Sequence, residues 1–137
     1  VIQRKARLKK AESFLLGRDF YFYNVRLALK TTFDFRFKDF KLRARIPLRG
    51  MRQVENASLA IAAVHLLDKK YAVKGIDYKK GLKETYLEGR FETALKEPLI
   101  ILDIAHNVSS FRALNQSIKD YFPKKKIILI FGASKDK

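Results

Sequence analysis

Leu99-Ile100-Ile101-Leu102-Asp103-Ile104-Ala105-His106-Asn107 is a short apolar run that ends in an acid, a histidine and an amide. The run carries no breaker, so it reads as a buried strand over residues 99–103. Asp103 and His106 fall where that strand should stop and a helix should begin. In open α/β sheets, ligands bind outside the carboxyl ends of the strands. Asp103 and His106 are therefore candidate site residues.

Downstream, Asn107 or Ser109 can cap a helix, and Phe111, Leu114, Ile118 and Tyr121 recur at helical spacing as one apolar stripe. Pro123 and Lys124-Lys125-Lys126 end that helix. Ile127-Ile128-Leu129-Ile130-Phe131 reads as a second buried strand, followed by Gly132-Ala133-Ser134-Lys135-Asp136. Strand, helix and strand with short links imply a right-handed parallel crossover. Both strands would then finish on one edge, where Asp103, His106, Ser134 and Asp136 could face a common cleft. A two-stranded parallel sheet makes a poor domain by itself, so the chain is expected to be a portion of a longer protein.

Upstream, the basic opening segment suggests a helix ending near Gly17, which can serve as its C-terminal cap. From Asp19 to Ile46 the period changes. Phe20 and Phe22, then Phe33, Phe35 and Phe37, then Phe40, Leu42, Ala44 and Ile46 alternate with polar partners, as half-buried antiparallel strands do. Lys38-Asp39 is a turn between two of them. Aromatic and basic residues interleaved in this way can also form a stacking platform for single-stranded nucleic acid, although period-2 burial suffices to explain the pattern.

Pro47-Leu48-Arg49-Gly50 breaks the alternation. Residues 51–67 then form an alanine- and leucine-rich helix, apolar almost all round and expected to be buried, with Glu55 and Asn56 near its start. His65 lies in an apolar run and reads as a packed or surface histidine. Asp77 can cap a short helix. Leu87-Glu88-Gly89-Arg90-Phe91-Glu92 reads as a loop entering a strand, and the domain boundary is placed there, dividing the chain into residues 1–86 and 87–137. The fold class is α/β, with antiparallel strands and then helices joined to a partial Rossmann-like β-α-β unit.

The 137 residues suit one domain or parts of two, and a hydrophobic content of 47% is enough for a core. With no cysteine, disulfides and thiolate metal sites are excluded. No apolar stretch approaches the roughly 20 residues that span a bilayer, and no apolar signal region follows the basic start. A cytoplasmic location and no membrane partner are expected. The net charge of +16 fits either a generally basic, lysine-rich surface or an anionic partner, for which nucleic acid, nucleotide phosphates and polycarboxylates all qualify.

Four segments, in order, carry a resemblance. Gly50-Met51-Arg52-Gln53-Val54-Glu55-Asn56-Ala57 resembles the G-x-H-Q-x-x-N-A helix start of the folylpolyglutamate synthase and dihydrofolate synthase family, a branch of the Mur ligase superfamily. Gly89-Arg90-Phe91-Glu92 is similar to its G-R-[FLM]-E motif, Asp103-Ile104-Ala105-His106-Asn107 to its D-G-A-H-N-P loop, and Phe131-Gly132-Ala133-Ser134-Lys135-Asp136 to the segment ending in D-K-D. The resemblance covers nearly the whole chain. It implies that residues 1–86 are the C-terminal part of a central ATPase domain, and residues 87–137 the N-terminal part of a C-terminal glutamate ligase domain.

The implied reaction joins L-glutamate to a folate or dihydropteroate through an acyl phosphate made with ATP and Mg2+. The Gly-rich phosphate loop and the metal ligands are expected outside these residues, which hold no G-K-[ST] sequence, so the isolated chain is expected to be inactive. By the same resemblance Asn56 lies near the adenine, a task an amide suits. Arg90 contacts nucleotide phosphate, for which a guanidinium fork is fitted. Asp103 contacts the nucleotide, and His106 lies near the phosphates and the incoming glutamate, where an imidazole can meet an anion or move a proton. Ser134, Lys135 and Asp136 are substrate or loop candidates. The family is usually monomeric.

The chain departs from the pattern in four places: Arg52 stands where the family has histidine, Ile104 where it has glycine, Val108 where it has proline, and Tyr86-Leu87-Glu88 where it has a tryptophan or proline before Gly89. A basic module for single-stranded nucleic acid, with steeply salt-dependent binding, is the alternative function, and an interaction fragment without activity is the third.

Overall fold

The structure is a computed structural model that describes residues 2–73 and 75–132. Its elements run in the order α1 (Ile2–Leu8), β1 (Phe20–Arg26), β2 (Thr31–Phe37), β3 (Phe40–Ile46), α2 (Met51–Tyr71), α3 (Tyr78–Lys83), β4 (Glu92–Lys96), β5 (Leu99–Leu102) and α4 (Val108–Tyr121).

The alternating segment forms the antiparallel sheet β1-β2-β3. Phe37 pairs with Phe40 across the Lys38-Asp39 turn, where Lys38 adopts a left-handed φ of 54°. One face of the sheet carries Phe20, Phe33, Phe35, Phe37, Ala44 and Ile46, all buried. Val54, Ala57, Ile61 and Ala62 of α2 close over them. The phenylalanines thus supply the core and not an exposed stacking platform. On the opposite face only Tyr21 and Tyr23 present aromatic rings, beside an Asp34 carboxylate that accepts from Arg43 and from Asn24.

Four sequence expectations are corrected. The first helix ends at Leu8, well before Gly17. Lys10 turns left-handed at φ 51°, and the bonds Lys10 N to Arg7 O and Ala11 N to Ala6 O close the helix there. Gly17 instead sits in the turn before β1, its N–H donating to Phe20 O.

Next, α2 is buried on one face only. Leu59, Val64 and Leu67 on its other face are exposed, because the sheet covers a single side.

Residues 99–102 do form a strand, but it pairs antiparallel with β4 and is largely exposed. Lastly, residues 127–132 hold no strand. Phe131 packs edge-on against Phe111 of α4 at 4.7 Å, while the alternate residues Ile128 and Ile130 are 93% exposed. A parallel strand needs both faces covered, so the expected crossover pairing is not made among the described residues.

The shorter elements follow their caps. Asp77 accepts from Lys80 N at 3.0 Å to start α3, which packs beside β3. Asn107 and Ser110 form a reciprocal capping box at the start of α4. Among the described residues no helix is long and apolar enough to cross a membrane.

Two contacts of this architecture are testable. Gly50, the N-cap of α2, has φ 94°, and a Cβ there would lie 2.7 Å from Ser117 Oγ of α4. The hydroxyl can rotate away, whereas the backbone angle cannot be escaped. Gly50→Ala should therefore cost about 1–3 kcal/mol in urea unfolding, and adding Ser117→Ala should not restore it.

His65 stacks on Phe40 at 4.4 Å and meets Phe37 edge-on at 5.7 Å. Burial there, and secondarily Lys69, lowers its pKa below the ordinary histidine value. The unfolded chain therefore binds a proton that the folded one refuses, and stability falls as pH drops from about 7 to about 5. His65→Gln should flatten that part of the stability profile.

Candidate functional site

The start of α2, the loop before β4 and the turn after β5 converge on one cleft. Each is held there by a different backbone constraint. At α2, the Gly50 N–H donates to Tyr121 Oη at 3.2 Å, and that hydroxyl lies 3.5 Å from Ala28 O. Tyr121 thereby ties the helix start to α4 and to the turn between β1 and β2. The first turn of α2 holds no acidic residue, so its positive dipole end is uncompensated there. Asn56 faces the cleft from the next turn, with Nδ2 donating to Gln53 Oε1 at 3.3 Å.

In the loop, Gly89 and Phe91 both have left-handed φ, 60° and 53°. Glu92 braces the bend by accepting from Gly89 N at 2.8 Å and Tyr86 Oη at 2.7 Å. Those bonds, the backbone one first, hold the Glu92 carboxyl below its ordinary pKa, and the shared proton raises that of Tyr86. Phe91 is buried, with its ring 5.4 Å from Tyr121 and 6.1 Å from Phe122. Three of the four residues in Gly89-Arg90-Phe91-Glu92 are thus committed to architecture. Arg90 is left exposed on the cleft.

After β5, Asp103 accepts from Phe91 N at 2.9 Å and from Ala105 N at 2.8 Å. Ile104 N donates to Gly89 O at 2.9 Å. Gly89 is obligatory on two counts: its positive φ, and the 2.5 Å that would separate an added Cβ from Ile104 Cγ2. Ile104, the residue that departs from the family's glycine, is therefore accommodated by a glycine opposite.

The cleft has a volume of about 170 Å3 and is lined by Arg49, Arg52, Gln53, Asn56, Arg90 and Asp103, among others. It sets three guanidinium groups against one carboxylate that already accepts two N–H bonds. Arg49 Nη1 donates to Thr93 Oγ1 at 3.0 Å. Arg52 pairs with Glu55 at 3.1 Å and reaches Ser109 Oγ at 3.4 Å. Among the described residues, no carboxylate forms an ion pair with Arg49 or Arg90. The site can hold a polyanion beside an amide that both donates and accepts. Among the described residues no group of three or more His, Cys, Asp or Glu could hold a metal.

Asn56, Arg90 and Asp103 are brought together by the fold. His106 is not among them. It is exposed, its Nδ1 lies 2.9 Å from Ile104 O, and it faces a neighbouring groove with Arg112 and Asn115 along α4. Ser134, Lys135 and Asp136 lie outside the described residues. Sequence reasoning missed Arg49, although it directly precedes the Gly50 motif. It also read Tyr121 only as part of an apolar stripe, since nothing local reveals where the hydroxyl ends.

The Mur ligase glutamate ligase domain matches residues 89–137. A probable bifunctional folylpolyglutamate synthase/dihydropteroate synthase of Halobacterium salinarum is 32% identical over 99 residues, 72% of this chain and 12% of that protein. A dihydrofolate synthase/folylpolyglutamate synthase of Bacillus subtilis is 34% identical over 95 residues, 68% of this chain and 22% of that protein. In fold, an FPGS–AMPPCP–folate complex superposes with a TM-score of 0.85 over 90% of this chain and 31% of that one, at 23% identity. The chain thus spans between 12% and 22% of the length of these two curated relatives. With the motifs in order and the fold matched, the chain belongs to the folylpolyglutamate synthase/dihydrofolate synthase branch of the Mur ligase superfamily.

Proposed function

We propose that this chain is part of an ATP-dependent ligase that adds L-glutamate to a folate or dihydropteroate, and that its cleft holds the nucleotide. Residues 1–86 would belong to the central ATPase domain and residues 87–137 to the glutamate ligase domain. The observation that carries the reading is that Asn56 and Arg90, from opposite sides of that boundary, line one cationic cleft. The relatives' names supply the reaction class, and the FPGS complex with AMPPCP and folate supplies precedent for the two ligands.

The cleft fits a nucleotide on its donor set. Asn56 offers an amide to a purine edge. Arg90 and Arg49 offer forked donors to phosphate oxygens, and the positive end of α2 adds to the field. ATP, with Mg2+, would supply the phosphoryl group that activates the substrate carboxylate as an acyl phosphate, which the glutamate amine then attacks as phosphate leaves. The residues in hand orient and neutralise, without taking part in bond making. His106, exposed beside the cleft, is available to contact an anion or carry a proton on the amine side.

Arg90→Ala in the full-length enzyme should raise the KM for ATP about tenfold or more, the scale of a lost charge-assisted bond. The effect on kcat should be smaller and the melting temperature unchanged, since Arg90 is exposed. Unaltered ATP kinetics would remove Arg90 from the site. The 137-residue chain alone should release no ADP in the presence of ATP, folate and glutamate.

A further inference from the structure

The solvent face of the β1-β2-β3 sheet carries a second concentration of cations. Lys41, Arg43 and Arg45 alternate along β3 with inward-facing residues, and Arg36 of β2 stands opposite Lys41. All four are exposed, and none lines the cleft. Asp34 is the one acid on the three strands. It is already engaged, accepting from Arg43 Nη1 at 2.9 Å and from Asn24 Nδ2 at 2.8 Å. Among the described residues no carboxylate pairs with Arg36, Lys41 or Arg45.

This arrangement costs stability. Arg36 and Lys41 are directly opposed, and like charges facing each other across a strand pair are destabilising. The face does not suit burial against another part of the protein, where its cations would lose their water without gaining a partner. An anion laid over it relieves the repulsion. The cations do not converge as the arginines of the cleft do. Along β3 they stand in a row about 7 Å apart, the two-residue repeat of a strand. A long chain of separated negative charges matches that row better than a compact phosphate group does.

The aromatic rings narrow the choice of chain. Tyr21 and Tyr23 lie 6.0 Å apart on β1 and are 40% and 39% exposed, whereas β2 and β3 present no ring on this face. Rings confined to one side suit a ligand with an aromatic head and an anionic tail. A track for nucleic-acid bases would repeat its rings along the strand. A γ-linked oligoglutamate has one free carboxylate per residue, and its five chain bonds per repeat space them about 6 Å apart when extended. A folate bearing such a tail has both parts: flat pteridine and benzoyl rings, then a row of carboxylates.

We propose that this sheet face is a second binding surface, for folates that already carry several γ-linked glutamates. The rings lie against Tyr21 and Tyr23, and the tail carboxylates meet Lys41, Arg43 and Arg45. The choice of ligand rests on the reading of the full-length protein as a ligase of glutamate and folate, and the surface would then retain the enzyme's own elongated product.

Binding of pteroylpentaglutamate to the full-length protein tests this, with a non-hydrolysable ATP analogue and folic acid present in saturating amounts. The pentaglutamate should still bind, and more weakly as salt rises. It should slow hydrogen exchange in residues 20–26 and 40–46, which folic acid alone should not do. Lys41→Glu with Arg45→Glu should weaken its binding about tenfold, the scale of two exposed ion pairs. Lys41→Glu alone should raise the urea midpoint, because it turns a like-charge pair with Arg36 into an opposite one. Lost affinity is then not a sign of unfolding.

Unchanged pentaglutamate affinity in the double variant would overturn the proposal. Tighter binding of a single-stranded oligonucleotide of equal charge would make the face a nucleic-acid platform and overturn it as well. Failure of the reaction reading is a different result. Pentaglutamate would protect the sheet face, while the full-length protein joined glutamate to neither folate nor dihydropteroate. In that case the surface stands and the ligase reading falls.

Discussion

The Phe91 N–H bound by the Asp103 carboxylate at 2.9 Å is the contact on which the cleft depends. It joins the loop before β4 to the turn after β5, and it does so at a residue whose backbone would otherwise relax. Around that bond the remaining restraints are mutually consistent. Glu92 closes the bend from below, and Ile104 covers Gly89. The Phe91 ring reaches Tyr121, whose hydroxyl carries the connection on to Gly50 and the start of α2. A short chain of hydrogen bonds and one buried ring therefore fixes two arginine-bearing segments relative to each other.

This arrangement would give a strongly basic chain a specific anion site. The charge of +16 is spread over the molecule, and exposed, separated cations are screened within about 10 Å at moderate salt. In the cleft Arg49, Arg52 and Arg90 are close together, face the positive end of a 21-residue helix, and share little competing negative charge. Proximity and preorganisation make this place different from the rest of the surface, and net charge does not.

What could be read in the sequence follows from which signals are local. The alternation of Phe33, Phe35 and Phe37 was legible because period-2 burial is written into consecutive residues, and the turn at Lys38-Asp39 followed from it. Asn107 was legible as a cap for the same reason. Residues 99–103 and 127–131 were over-read as buried strands, because an apolar run reports what a segment would tolerate and not what covers it. The first helix was over-extended to Gly17 because glycine is the usual left-handed residue, whereas Lys10 took that role. In the candidate site, Asn56, Arg90 and Asp103 could be named from motifs. Arg49 and the Tyr121 hydroxyl could not, since their meaning lies in contacts 44 and 71 residues away.

The proposed nucleotide cleft lies between the start of α2 and the Arg90 loop. Peptide-resolved hydrogen exchange on the full-length enzyme, with and without a non-hydrolysable ATP analogue, addresses it directly. Protection should appear in residues 50–56 and 89–91 together and leave the Tyr21 and Tyr23 face of the sheet unchanged. Protection confined to that sheet face, or absent from both cleft segments, would put the nucleotide elsewhere.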